Sequence, residues 1–252
     1  MRILIRPGNY KIRDREGRPC YHLHVPELRE NHQRILDRIK ATAKRVGREL
    51  SEIKLVAVSK THPVEVLRDA LAAGITVFGE NKVQEAESKI AEIGRGGTEW
   101  HLIGHLQSNK ARKAVQLFDL IHSVDSVELA TRLERICEEE RRERLPILAE
   151  VDLANEETKS GITADELPEL IDYVRGCKHV ALKGLMVLPP FFDDREATRP
   201  YFQKLRGLRD ELIPGGELSM GMSHDFEVAI EEGATIVRVG TAIFGQRGYI
   251  EK

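Results

Sequence analysis

The stretch GGELSMGMSHDFEVAIEEGATIVRVGTAIFG, residues 215–245, reads as two buried strands that each end in a turn of small residues. The apolar run 218–222 stops at Ser223, and Ser223-His224-Asp225 opens a helical pattern through Phe226, Ala229 and Ile230 that Gly233 closes. The second run, 236–239, leads into Gly240-Thr241. Small residues where a buried strand meets a helix N-terminus leave backbone N–H groups to point at a ligand, and the helix dipole favours an anion there. Paired turns of this kind after the last two strands are the phosphate site that a (β/α)8 barrel commonly provides. Six earlier strands are then expected upstream.

Working back from that stretch, strand and helix patterns alternate. Residues 55–59 (LVAVS) form an apolar run ending at Lys60, and Pro63 starts the helix VEVLRDALAAG, which stops at Gly74. Further runs lie at 75–78, 100–103, 120–124, 146–151 and 182–188. Helical patterns follow them, through Ile93, over 108–118, from Asp125 to Glu140 and over 201–212, with Asp125 and Glu128 spaced as a capping pair and Thr163-x-x-Glu166 as a capping box. A leading amphipathic helix runs from Glu27 to Gly47 through Leu28, Ile35, Leu36, Ile39, Ala43 and Val46. Continuous apolar strands in strict βα alternation predict an α/β protein with a parallel sheet buried on both faces. Eight units in 252 residues favour a single (β/α)8 TIM barrel over an open sheet. Residues 1–24 show no sustained periodicity beyond the apolar start at 3–5, and are read as an N-terminal extension to a barrel domain at 25–252.

Composition narrows the function. A net charge of −2, with 32% charged residues of both signs, supplies no basic field for nucleic acid. Cys20, Cys137 and Cys177 are odd in number and lack a CxxC pair, which argues against a disulfide framework and a zinc site. His105, His122 and His224 are scattered without metal spacing, so no metal is expected. Trp100 and the methionines read as core. No apolar run approaches the roughly 18 residues of a membrane span, and no signal peptide is evident. A reducing cytoplasm is the expected location.

In such a barrel the functional groups sit at the C-terminal strand ends. Those ends carry Lys60, Asn81, His105, Ser123, Asp152, Met186, Ser223 and Arg238. Lys60 would point its amine into the barrel mouth, where apolar walls favour a Schiff-base former; a lysine there also snorkels to water in the ordinary way. A reactive lysine facing a phosphate cradle is what a phosphorylated aldehyde needs, and pyridoxal 5'-phosphate supplies both ends. Arg238, two residues before Gly240, is placed to meet the pyridine nitrogen and keep it unprotonated, or else to make a structural ion pair. Ser223 and Thr241 are phosphate candidates or plain helix caps, and Asn81 holds the ring or caps its helix.

The strings LVAVSKTHP, FGENKVQE, WHLIGHLQSNK, IHSVD, KSG, LKGLMVLPP, LSMGMSHDFEVAI and GATIVRVGTAIFG resemble, in order from about residue 27 to 246, the YggS/PROSC family of pyridoxal phosphate homeostasis proteins. The resemblance implies a barrel like the N-terminal domain of alanine racemase, with the cofactor held as a Schiff base on Lys60. It implies phosphate ligands at Ser223, Gly240 and Thr241, Arg238 at the pyridine nitrogen, and Asn81, His105 and Met186 around the ring. Ser123 and Met222 complete the candidate set. It further implies a cytoplasmic, monomeric protein without robust enzymatic activity, which holds pyridoxal phosphate and delivers it to apoenzymes. Many members carry a second lysine where this chain has His62, so a hand-over role for that lysine is not carried across.

Three rivals remain at this stage. A single-domain pyridoxal phosphate-dependent racemase would need a second acid/base, from Tyr249 or Tyr201. The chain stops at Lys252, directly after the eighth strand, so the second domain that supplies a tyrosine in alanine racemase is not expected. A cofactor-free lysine aldolase acting on sugar phosphates would share the lysine and the cradle but be colourless. A pure scaffold would be indifferent to Lys60→Ala.

Overall fold

The structure, a computed structural model, describes residues 9–13, 19–23, 25–154 and 160–245. Eight parallel strands close into a barrel: β3 (Lys54–Val58), β4 (Val77–Glu80), β5 (Glu99–Leu102), β6 (Leu120–Val124), β7 (Leu145–Glu150), β8 (Val180–Met186), β9 (Glu217–Ser219) and β10 (Ile236–Val239). β10 pairs with β3, Val239 opposite Ala57, and so joins the last strand to the first. The helices of the outer ring are α2 (Val64–Ala72), α3 (Val83–Ile93), α4 (Ala111–Leu117), α5 (Val127–Glu139), α6 (Leu167–Arg175), α7 (Arg199–Leu212), α8 (Phe226–Glu231) and α9 (Thr241–Phe244).

Because each strand is covered on both faces, two apolar layers form. Between strands and helices lie Phe78, Trp100, Phe118, Phe202 and Phe226, all fully buried. Inside the barrel, Val56, Leu120, Leu148, Met186 and Ile236 form a separate cluster. Side chains alternate along a strand, so Arg238, two residues after Ile236, and Glu150, two after Leu148, share the inward face one layer higher.

The leading helix α1 (Val25–Arg45) buries Leu28, Ile35, Ile39 and Ala43 against α2, α8 and α9. Burial of each large side chain contributes about 1.5–3 kcal/mol. Polar contacts set its register: Asn31 Nδ2 donates to Ile243 O at 2.9 Å, and the Arg38 guanidinium lies 4.6 Å over the Phe226 ring. Leu36, expected on the apolar face, is half-buried, and Val46, also expected there, lies beyond the end of the helix and is exposed.

The structure also differs from the sequence reading in the extension, at the end of β9, in the cap of α5, and in β4 and β8, which each lie two residues from their expected spans. The extension holds an antiparallel hairpin, β1 (Asn9–Arg13) with β2 (Pro19–Leu23), Asn9 opposite Leu23. Its alternation in Tyr10-Lys11-Ile12-Arg13 is too short to stand out from a charged background. The strand expected over 218–222 ends at Ser219, because Gly221 adopts φ +89 and a Cβ there would meet Ala229 Cβ at 2.6 Å. The cap of α5 is Ser126, whose Oγ accepts the Leu129 N–H at 3.2 Å, whereas Asp125 turns to His105 at 3.4 Å. The Thr163/Glu166 box is present, Glu166 Oε2 accepting the Thr163 hydroxyl at 2.6 Å.

At Gly184 on β8 a Cβ would stand 2.0 Å from the Glu217 carbonyl oxygen of β9, so no side chain fits between these strands. Gly184→Ala should cost about 2–3 kcal/mol, read as a lower midpoint in urea unfolding.

Candidate functional site

Lys60 follows Ser59 at the C-terminal end of β3, in a turn pinned from below. Lys89 on α3 is 5% exposed, and its Nζ donates to Ser59 O at 2.8 Å, Glu80 Oε1 at 2.6 Å and Glu85 Oε1 at 2.6 Å. Ser59 Oγ donates to the same Glu80 oxygen at 2.6 Å. On the other side of Lys60, Thr61 has φ +68, an uncommon conformation for a β-branched residue, and its N–H donates to Glu85 Oε1. A buried ammonium with two carboxylates thus holds both neighbours of Lys60. Burial raises the Glu80 carboxyl above its ordinary range, against the pull of Lys89.

The two small-residue turns meet beside it. Gly240 N–H donates to Ser223 Oγ at 3.2 Å, and a Cβ on Gly240 would stand 3.3 Å from Val58 O, two residues before Lys60. Asp225 Oδ1 accepts the Met222 N–H at 2.6 Å and holds the β9–α8 turn in shape. Ser223 is half-buried and Thr241 exposed, and the first N–H groups of α9 have no acceptor within the helix.

Arg238, 2% exposed, lies inside the barrel. Its Nη1 donates to Ser219 Oγ and its Nη2 to Val187 O at 3.0 Å. Burial lowers the guanidinium pKa to about 10, offset in part by Glu150 and Asp225. Glu150 is 3% exposed, and burial with the charge of Asp125 pushes its carboxyl up to about 8.

The other expected residues surround this group. Asn81 and His105 follow β4 and β5; Asn81 Oδ1 is buried without a hydrogen-bond partner among the described residues, and His105 is largely exposed beside Asp125. Ser123 is buried and donates to Gly104 O at 2.7 Å, while Met186 is fully buried in the interior cluster, so both shape the floor. Met222 is 36% exposed at the rim. Asp152 accepts the Ala154 N–H at 3.0 Å. Tyr201 lies on α7 with its ring 5.9 Å from Phe192, and Tyr249 lies outside the described residues, as does Lys159 of the KSG string. Glu150, Lys89, Glu80 and His101 were not singled out from sequence, and His122, buried beside His101, was weighed there only as a metal ligand. For Glu150 and the two histidines a signal existed: each is a polar residue inside an apolar strand run.

Residues 35–248 match the family model described as alanine racemase, N-terminal domain. The pyridoxal phosphate homeostasis protein of Aquifex aeolicus is 44% identical over 225 residues, spanning 87% of this chain and 98% of its own length. The chain belongs to the pyridoxal phosphate homeostasis protein family. The family member of Escherichia coli K12 is 41% identical over 236 residues, 90% of this chain and 99% of its own. PipY of Synechococcus elongatus, solved with PLP bound, superposes with a TM-score of 0.71 at 43% identity, over 77% of this chain and 93% of that one.

Two measurements on cofactor-free protein probe the buried charges. Lys89→Met leaves Glu80 buried without its counter-charge and should lower unfolding free energy by about 3–5 kcal/mol. Glu150 holds its proton to about pH 8, against an ordinary value of 4.5, so the folded state binds that proton more tightly than the unfolded chain. Stability should therefore fall as pH rises through that window. Glu150→Gln should gain on wild type by a few kcal/mol, on the order of 2–4, near pH 9, and the gain should vanish near pH 4.

Proposed function

We propose that the chain binds pyridoxal 5'-phosphate through Lys60 and serves intracellular pyridoxal phosphate homeostasis, storing and delivering the cofactor without robust catalysis. The observation that carries this reading is one juxtaposition. Closure of β10 onto β3 brings Lys60, the Ser223–Gly240 turns and Arg238 to the same end of the barrel. The residues fit the cofactor chemically: Asn81 Oδ1 and Glu150 Oε2 are buried polar atoms without hydrogen-bond partners among the described residues, as a polar ring would require.

Each side chain has a distinct task. Ser223 accepts from Gly240 and keeps its own hydroxyl proton for a phosphate oxygen, alongside the leading N–H groups of α9. The Lys89 cluster holds the backbone on both sides of Lys60, which limits where its amine can reach. Arg238 has N–H groups beyond the two held by Ser219 and Val187, and a permanent charge with which to face a ring nitrogen. When bound, the cofactor supplies an aldehyde that takes the lysine amine as a Schiff base and a ring that acts as a weak electron sink while its nitrogen is unprotonated. Weak sink behaviour suits a carrier. We place the protein in the cytoplasm as a monomer that hands its cofactor to apoenzymes; no helix among the described residues is long and apolar enough to cross a membrane.

The test is an absorption spectrum of purified protein before and after borohydride, for wild type and Lys60→Ala. A yellow band that reduction traps on Lys60, and that Lys60→Ala lacks, is expected. A wild type that stays colourless with added pyridoxal phosphate would sink the reading and promote the aldolase.

A further inference from the structure

Arg238 is one end of a hydrogen-bond chain that runs down the barrel axis. Its Nη1 meets Ser219 Oγ, which lies 2.9 Å from His122 Nδ1. His122 Nε2 lies 2.9 Å from His101 Nδ1, and His101 Nε2 lies 2.7 Å from Glu99 Oε1. Glu99 also takes the Lys54 ammonium at 2.6 Å. Ser219, His122 and His101 are fully buried, whereas Glu99 and Lys54 are 36% and 43% exposed. Those two are the first residues of β5 and β3, at the end of the barrel opposite Lys60. The chain therefore joins the site at one end to solvent at the other.

Its proton order follows from its ends. A guanidinium only donates and a carboxylate only accepts. The hydrogen bond from His101 holds Glu99 ionised, its pKa lowered to about 2. Burial pushes the His122 imidazole well below its ordinary value and keeps it neutral. A hydroxyl and a neutral imidazole each give one proton and take one, and with an Arg238 N–H on its oxygen the Ser219 proton has His122 Nδ1 as its neighbour. A single order satisfies every member: Arg238 to Ser219, Ser219 to His122 Nδ1, His122 Nε2–H to His101 Nδ1, and His101 Nε2–H to Glu99. The reverse order would turn the Ser219 proton away from both of its neighbours.

We propose that Ser219, His122 and His101 are positioning residues for Arg238. Ordered by the Glu99 carboxylate four hydrogen bonds away, they present the Ser219 oxygen as a fixed acceptor. Together with the Val187 carbonyl, that oxygen holds the guanidinium fork toward the site. The proposal rests on the pyridoxal phosphate reading above and deepens it: a fork that cannot turn keeps its charge on the ring nitrogen, and so helps make the protein a carrier.

The proton order is read in cofactor-free protein from long-range 1H–15N correlation spectra after 15N-histidine labelling. Both rings are expected to be protonated at Nε2 and bare at Nδ1; a proton on Nδ1 of either ring overturns the chain. With pyridoxal phosphate added, Ser219→Ala should weaken binding about tenfold and shift the visible band, and Ser219→Thr, which keeps the hydroxyl, should restore both. Wild-type affinity and an unshifted band in Ser219→Ala overturn the positioning role, whatever that variant's thermal stability. A wild type with the expected protons that takes up no pyridoxal phosphate overturns the cofactor reading and the role of the chain with it, while the proton order stands.

Discussion

The pairing of β10 with β3 is the constraint on which the rest of the site depends. Lys60 and Arg238 are separated by most of the sequence, and no local propensity can bring them together. Closure does so by main-chain hydrogen bonds alone, since a barrel leaves no unpaired edge. The same pairing lays Gly240 against Val58, where a side chain would crowd the neighbouring strand. Helix α1 supports the closure from outside by packing on α8 and α9, the helices that flank β10.

Around this junction the protein tolerates an unusual amount of buried charge. Lys89, Glu80 and Arg238 are each at most 5% exposed. Removing such groups from water costs several kcal/mol apiece unless they are paired, so an apolar interior would be more stable. The two clusters are organised differently. Lys89 is saturated by three acceptors and does a mechanical task, holding a strained turn. Arg238 is held by a hydroxyl and a carbonyl, neutral groups that fix its direction without cancelling its charge. A charge that must act on a ligand is better oriented than neutralised.

Much of the fold was legible in the chain. The eight barrel strands appear within two residues of their expected places, apart from the end of β9, because buried parallel strands are continuous apolar runs with turn residues at their ends. Lys60, Asn81, Ser223 and Gly240 stood out as candidates for the same reason, since strand ends are where a barrel displays its chemistry. The α5 cap was misplaced by one residue, because Asp125 and Ser126 are equally good caps and only the position of His105 decides between them. The hairpin of the extension was missed because its alternation is so short.

Sequence by itself determined the number of barrel strands, a lysine at the end of the first of them and the small-residue turns, all of which are local patterns set by burial and backbone freedom. Tertiary structure alone decided which inward-facing polar groups touch. His101 and His122 lie on neighbouring strands, Ser219 on a third, and their contact depends on barrel stagger, which no single strand encodes. The ionisation of Glu150 was likewise settled in three dimensions: its proton is held by the low polarity of its surroundings and by Asp125 from the adjoining strand end, neither of which is a property of the residues beside it in the chain.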